Sequence, residues 1–594
     1  MKNTVSALFA ILIPAIAIPA AAQIPRHLDP TVVAVNKELP RGEAVSHDSK
    51  ADAVGRTPGA SKYLQPLTEW TRTESADAVR YRTRFRVPFG WIDRRQFLCV
   101  GRTSGSFDVM VNGAPAAYSQ TGSTPGEFDI TDASKEGANE LEIVIWNDLV
   151  SARLENNRPA VPPRLEGEVY IVSQPRVRVR DVAVSTRMEE SSGLLELGVI
   201  LKSHLLNPHD YTVFWELLNP AGEIVAEGRK DARLEMRRED TVTFFANIPR
   251  IVPWSHEEPR LYTLFIKTQN EGRFREYLSF RVGFRNLGLD DDGTMTLNGM
   301  PLELDMREFV PPGDAAEMRE ALMGIHREAM AGNGGAAGVM LRGAPPSREF
   351  YALCDSLGIY VVGRADIDTR AAGESRTVGG NPSNDPAWKA AYLDRVLAMY
   401  HTSKNHPSVS MFSLGSEAAN GYNLYESYLA LKRLERHRPV IYTDGGGEWN
   451  SDLVLAAGDY PTLSAAAASS AGWLTLEAID VAAGRFRLSN LRRITPFTGE
   501  AAYRIVAGRR NVVSGGSLPV EVMPGESVEF TVPVSGVREG KAYTVAVEIA
   551  GENPAGDYLP DDDPNLKIFR RLDRPLDPAN RAVVVAGEFG SGER

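Results

Sequence analysis

Residues 405–421 read NHPSVSMFSLGSEAANG. An apolar run carrying Phe412 and Leu414 stops at Ser416 and then presents a single carboxylate, Glu417. A carboxyl group at the end of a buried strand is placed to give and take protons, and such chemistry usually engages a second titratable group across a cleft. Position alone is equally consistent with an exposed carboxylate that does no chemistry. The acids nearby are Asp444, Glu448 and Asp459, each at or just after the end of a later strand-like segment.

The elements that must position these acids alternate in type. After Gly288, MTLNGMPLELDMRE is strand-like, and 314–332 has helical spacing with an acidic first turn. AGVMLRG, IYVVGRAD, SVSMFSLGSE, PVIYTD and DLVLAAGDY then read as strands, and SREFYALCDSLG, DPAWKAAYLDRVLAMYHTSKN and NLYESYLALKRLERH as helices between them. Strand and helix in turn imply parallel βα units. About six strands fall within about 180 residues, whereas a closed (β/α)₈ barrel takes about 250. Residues 287–466 are therefore expected to form a shortened, incomplete TIM-type barrel, with Glu417 at the end of its fourth strand.

The flanking chain is β-patterned. VRYRTRFRVP and FDVMVNGAPAAY alternate, and Asn112-Gly113 is a hairpin signal. Residues 61–175 are read as a jelly-roll β-sandwich and 176–286 as an immunoglobulin-like β-sandwich. Residues 472–594 are read as a C-terminal immunoglobulin-like sandwich followed by an irregular tail with the acidic run 561–563. Residues 23–60 are polar, without sustained period, and are expected to be an extended leader segment.

At the start, Met1-Lys2 precedes a nearly unbroken apolar stretch over residues 5–22 that ends in three alanines. Pro14 and Pro19 interrupt it, so it is expected to be a cleaved secretory signal (residues 1–22) rather than an anchor. The mature chain is then exported, periplasmic or secreted, with no membrane contact once the signal is removed. A net charge of −11 over 594 residues argues against a nucleic-acid partner. The two cysteines, Cys99 and Cys354, lie in apolar stretches of different domains and are expected to be buried free thiols.

Several motifs now fall in one order. FDVMVNGAPAAY, GEFDIT and EGANELEIVIW, then VPWSHEEPRLYTL and RVGFRNLGLDDDGTMTLNGMPL, then FYALCDSLGIYVV and NHPSVSMFSLGSE, resemble the β-galactosidases of glycoside hydrolase family 2. The resemblance covers almost the whole mature chain. It implies a retaining mechanism in which two carboxyl groups about 5 Å apart act as acid/base and nucleophile, at the carboxyl ends of barrel strands. Glu417 takes the acid/base position. The nucleophile expected from a seventh strand has no counterpart: after LVLAAGDYPTLSA the chain passes through AAASSAG into the last sandwich. Asp459 is the second acid offered instead; Glu477 and Glu500 fall in the sandwich pattern.

Other departures accumulate. Ser416 stands for an asparagine that binds the 2-hydroxyl of the sugar, and Met340 and Gly343 stand for an arginine and a histidine. Asp368 is the nearest equivalent of a metal- or sugar-binding glutamate, and Arg370 replaces the histidine after it. A fixed positive charge there opposes cation binding, so no metal and no cofactor are expected. Arg158 and Pro159 stand where a sugar-contacting acid and tryptophan belong, and the loop DMREFVPPG has no histidine. Ser416, Asp368 and Tyr460 remain as substrate contacts. The combination implies a carbohydrate-related protein, its ligand a β-galactoside-like glycan, with glycosidase activity lost or severely reduced. The alternative is an active retaining hydrolase of terminal β-galactosides that uses Glu417 as general acid/base.

Overall fold

The computed structural model describes residues 24–588 apart from 43, 56–60, 148–149, 156–162, 291–294, 313, 332–335, 343–347, 376–379, 445–447, 454–473, 491–495, 508–510, 538–542, 552–557, 561–568 and 572–581. The expected signal segment and the acidic run 561–563 lie outside the described residues. Among the described residues, no helix is long and apolar enough to cross a membrane.

The first sandwich packs a six-stranded sheet on a four-stranded one. Its alternating strands turn Phe85, Leu98, Phe107, Phe128 and Ile143 into one core. Asn112 and Gly113 both have positive φ (51° and 81°), as the tight hairpin between Phe107–Val111 and Ala114–Ser119 requires. The second sandwich has a three-stranded and a four-stranded sheet around Leu197, Val213, Trp215, Leu264 and Phe280.

The leader is more structured than its composition suggests. Ala34–Val35 adds an edge strand to the first sandwich, and Lys50–Gly55 is a short helix packed on the second. Between them, charged side chains fasten the segment to three domains. Arg41 Nε lies 2.6 Å from Glu127 of the first sandwich. Glu38 Oε2 takes Arg178 at 3.0 Å and Lys202 at 2.7 Å from the second. Lys37 Nζ lies 3.0 Å from Asp394 of the parallel domain. The segment lacks hydrophobic period because ion pairs, more than apolar faces, hold it.

A small antiparallel ribbon (residues 287–301) leads into the parallel domain. Five parallel strands follow in simple order: β1 (Leu304–Phe309), β2 (Ala336–Leu341), β3 (Tyr360–Arg364), β4 (Val409–Ser413) and β5 (Val440–Ile441). The helices between them are α1 (Ala315–Ala331), α2 (Arg348–Leu357), α3 (Lys389–Ser403) and α4 (Tyr422–Leu434). Both faces are buried and the side chains alternate. Val361, Phe412 and Val440 join the helices, including Phe350, Tyr392 and Leu424. Val362, Met411 and Ile441 join the opposite cluster with Trp254, Leu261 and Leu297. Trp254, whose Nε1 donates to the Asp355 carbonyl at 2.8 Å, thus packs on the sheet face that would line the inside of a closed barrel.

Two expectations need correction. Of the about six strands expected, five are present among the described residues. The proposed sixth begins with Asp452 and Leu453, which are not strand, and continues outside the described residues. The tail is not irregular throughout: Ala582–Glu588 pairs antiparallel with Tyr543–Gly551 and completes the four-stranded sheet of the last sandwich. Both cysteines are free, Cys354 fully and Cys99 partly buried.

Candidate functional site

The carboxyl ends of β3 and β4 meet where the chain leaves the sheet. After β4, Leu414 remains buried and Gly415 passes so close to Ile367 that an added Cβ would lie 2.7 Å from the Ile367 carbonyl oxygen. A larger residue could not make this approach. The passage lets the Ser416 N–H donate to that carbonyl at 2.9 Å. Glu417 then adopts φ +49°, a left-handed conformation uncommon for a non-glycine residue and frequent at functional turns. Its own N–H donates to Asp444 Oδ2 at 2.5 Å, which fixes the turn against the loop that follows β5.

The Glu417 side chain is 48% exposed, and its Oε2 lies 2.8 Å from Arg370 Nη1. The other edge of the same guanidinium is held by Asp368: Nε is 2.9 Å and Nη2 2.5 Å from Oδ2. The Asp368 carboxylate is wholly buried, and its Oδ1 also accepts the Arg370 backbone N–H at 3.1 Å. Hydrogen bonding and charge from Asp368, with the charges of Glu417 and Asp444 added, hold Arg370 above the ordinary arginine value. One arginine therefore faces three carboxylates. The Ser416 hydroxyl is buried beside them and has no hydrogen-bond partner among the described residues.

The first sandwich reaches this place. The Asp368 N–H donates to the Leu154 carbonyl at 2.6 Å, and Glu155 forms an isolated parallel bridge with Asp368. The Glu155 side chain instead meets buried Arg395, at 2.9 and 2.5 Å. Leu154 and Glu155, at the start of the segment expected to bring sugar contacts, are thus adjacent to Asp368, while Arg158 and Pro159 lie outside the described residues.

Beyond Asp444 in the chain an aromatic step follows. Trp449 is 57% exposed and stacks on Tyr425 of α4 (centroids 4.9 Å apart, planes at 29°). Tyr428 meets it edge-on, and the Tyr425 hydroxyl donates to Glu448 at 2.8 Å. Exposed tryptophan faces of this kind suit the apolar face of a pyranose ring.

Among the anticipated residues, the structure brings together Glu417, Ser416 and Asp368, with Asp444 as the adjoining acid. Asp459 and Tyr460 lie outside the described residues. Glu477 and Glu500 fall in strands of the last sandwich. Met340 is buried on the inner face of the sheet. Sequence reasoning treated Arg370 only as a misfit and missed Trp449 with Tyr425. A tryptophan one residue beyond a glycine run after a strand end was the signal available. The residues do not suit a divalent ion: the guanidinium stands between Asp368 and Glu417, where oxygens would have to converge on a metal. Among the described residues, no group of three His, Cys, Asp or Glu side chains is arranged to hold one.

β-Sandwiches thus precede a parallel βα sheet with acidic groups at its carboxyl ends. Residues 342–463 match the family model "Glycosyl hydrolases family 2, TIM barrel domain", and residues 177–285 match "Glycosyl hydrolases family 2". The chain belongs to glycoside hydrolase family 2. It is 30% identical over 401 residues to a β-galactosidase of Priestia megaterium, covering 65% of this chain and 37% of that protein. It is 27% identical over 381 residues to a β-galactosidase of Psychromonas ingrahamii, covering 62% and 36%. The chain thus spans little more than a third of the length of these relatives. Among solved structures, a β-glucuronidase of Bacteroides uniformis superimposes with a TM-score of 0.55 at 12% identity, covering 92% of this chain and 85% of that one. A β-D-glucuronidase of Dictyoglomus thermophilum gives 0.54 at 19%, covering 64% and 72%. At these identities the likeness is one of fold.

Proposed function

We propose that the protein is an exported, carbohydrate-binding member of its family in which glycosidic-bond cleavage is lost or severely reduced. The observation that carries this reading is the arginine bridge: Arg370 Nη1 lies 2.8 Å from Glu417 Oε2 while the same guanidinium is clamped by Asp368. Protonating a leaving oxygen requires a carboxylic acid, and attack on the anomeric carbon requires a second carboxylate about 5 Å away. Here the carboxyl group in the acid/base position is engaged by an arginine that a second carboxylate already holds. The ligand class is a β-galactoside-like glycan, by analogy with the β-galactosidases to which the chain is similar. Export rests on the basic start and apolar stretch of residues 1–22.

The experiment is hydrolysis of an activated aryl β-galactoside by wild type and Glu417→Gln, alongside a glycan-array screen of both. Glycan retention with equal, negligible turnover supports the binding reading; absence of any glycan bound removes it. A second reading, an active retaining hydrolase, is favoured by one observation: Asp444 Oδ2 lies 2.5 Å from the Glu417 backbone nitrogen, so two acids meet at adjacent strand ends. A wild-type rate that collapses in Glu417→Gln establishes that reading.

A further inference from the structure

Carboxylates that converge at one point repel each other unless a cation is shared among them. Proteins commonly supply a hard divalent ion bound by oxygens. At the end of β3 the cation is part of the chain. Both Asp368 oxygens accept N–H groups of Arg370: Oδ2 from Nε and Nη2, and Oδ1 from the backbone N–H at 3.1 Å and from Nε at 3.1 Å. Nη1 points the other way to Glu417, and the site-facing oxygen of Asp444 is taken by the Glu417 N–H. A two-residue spacing between Asp368 and Arg370 fixes this fork from the backbone, and a planar guanidinium can serve two carboxylates on two edges at once.

We propose that Arg370 is a tethered cation that joins Asp368 to Glu417 and makes this carboxylate cluster independent of any divalent metal ion. The tether operates whether or not glycosidic bonds are broken at the site. It also explains why the cluster is not dispersed by its own charge: the guanidinium lies between two of the carboxylates and leaves no set of free oxygens directed at a common point. Removing the guanidinium leaves Asp368 and Glu417 facing one vacated volume, and two carboxylates completed by water are donors that a hard cation accepts.

The test is binding of Mn²⁺ to the full chain, followed by loss of the free-ion electron paramagnetic resonance signal, with thermal melting in parallel. Wild type is expected to leave the signal undiminished and to melt at the same temperature with Mn²⁺ or with a chelator. Arg370→Ala is expected to remove about one equivalent of the free signal and to melt higher in Mn²⁺ than in chelator. The added substitution Asp368→Asn is expected to abolish both effects. Should Arg370→Ala fail to fold, Arg370→Gln, which keeps bulk and an amide donor but no charge, replaces it with the same expectations. The proposal is overturned by Mn²⁺ binding to wild type that Asp368→Asn removes. It is equally overturned by a folded, uncharged variant at position 370 that gains no Mn²⁺ binding.

Discussion

Two arginine–carboxylate clusters hold this molecule in different ways. At the junction of the leader with the two N-terminal sandwiches, Glu38 and Glu127 meet Arg41, Arg178 and Lys202. The Arg178 side chain there is fully buried, and positive groups match or exceed negative ones. At the carboxyl end of the parallel sheet, Arg370 alone faces Asp368, Glu417 and Asp444, and the Glu417 side chain remains half exposed. The first cluster is closed and charge-compensated, as a joint between domains must be. The second is acid-rich and open to solvent. Balance and exposure, not the presence of ion pairs, separate the structural cluster from the site.

Breaking each cluster sharpens the contrast. The largest effect is expected for Arg178→Ala, which removes the fully buried guanidinium and leaves Glu127 to Arg41 and Glu38 to Lys202 alone; removal of one partner of a buried pair costs about 3–5 kcal/mol, read as the greatest fall in thermal midpoint. Arg370→Ala in chelator leaves the buried Asp368 carboxylate without its fork but with its backbone donor, and about 1–3 kcal/mol is expected, again by thermal midpoint. A loss at Arg370 equal to that at Arg178 would erase the distinction.

Acidification addresses the closed cluster from the other side. Burial alone would raise the Glu127 carboxyl, but the charges and hydrogen bonds of Arg41 and Arg178 outweigh it and hold the group below its ordinary 4.5. A lowered acid contributes stability that is present above the ordinary value and is lost as pH falls through the lower folded value. The stability gap between wild type and Glu127→Gln is therefore expected to be widest at neutral pH and to narrow below about pH 4.5 in melting curves. The smallest effect on stability belongs to Trp449→Ala, about 1 kcal/mol for loss of stacking on Tyr425. Its main consequence is expected in weaker retention of galactoside-type glycans on an affinity matrix.

What the sequence disclosed follows the same division. The fourth parallel strand and Glu417 at its end were legible because Val409–Ser413 is a short, wholly buried run between two helical patterns. The sandwiches were legible from alternation, down to the Asn112-Gly113 hairpin. The Arg370–Glu417 contact was not, because it depends on two strand ends becoming neighbours through the register Arg364↔Ser413. The leader's attachment was equally hidden: Glu38 meets a residue 140 positions away, and ion pairs leave no hydrophobic period to read. The strand Ala582–Glu588 was obscured by the acidic run before it. Trp449 gave only a single aromatic letter, and its stacking on Tyr425 requires the loop after β5 to fold over α4.

The proposed loss of a working nucleophile opposite Glu417 is tested most directly by covalent trapping. Retaining glycosidases form a glycosyl ester on the attacking carboxylate, and a 2-deoxy-2-fluoro-β-galactosyl donor with a good leaving group makes that ester persist. Intact-mass spectrometry of wild type after such treatment is expected to give the unmodified mass. A stoichiometric adduct mapping to an aspartate or glutamate, Asp444 or Asp459 foremost, would contradict the loss of cleavage and establish an active enzyme.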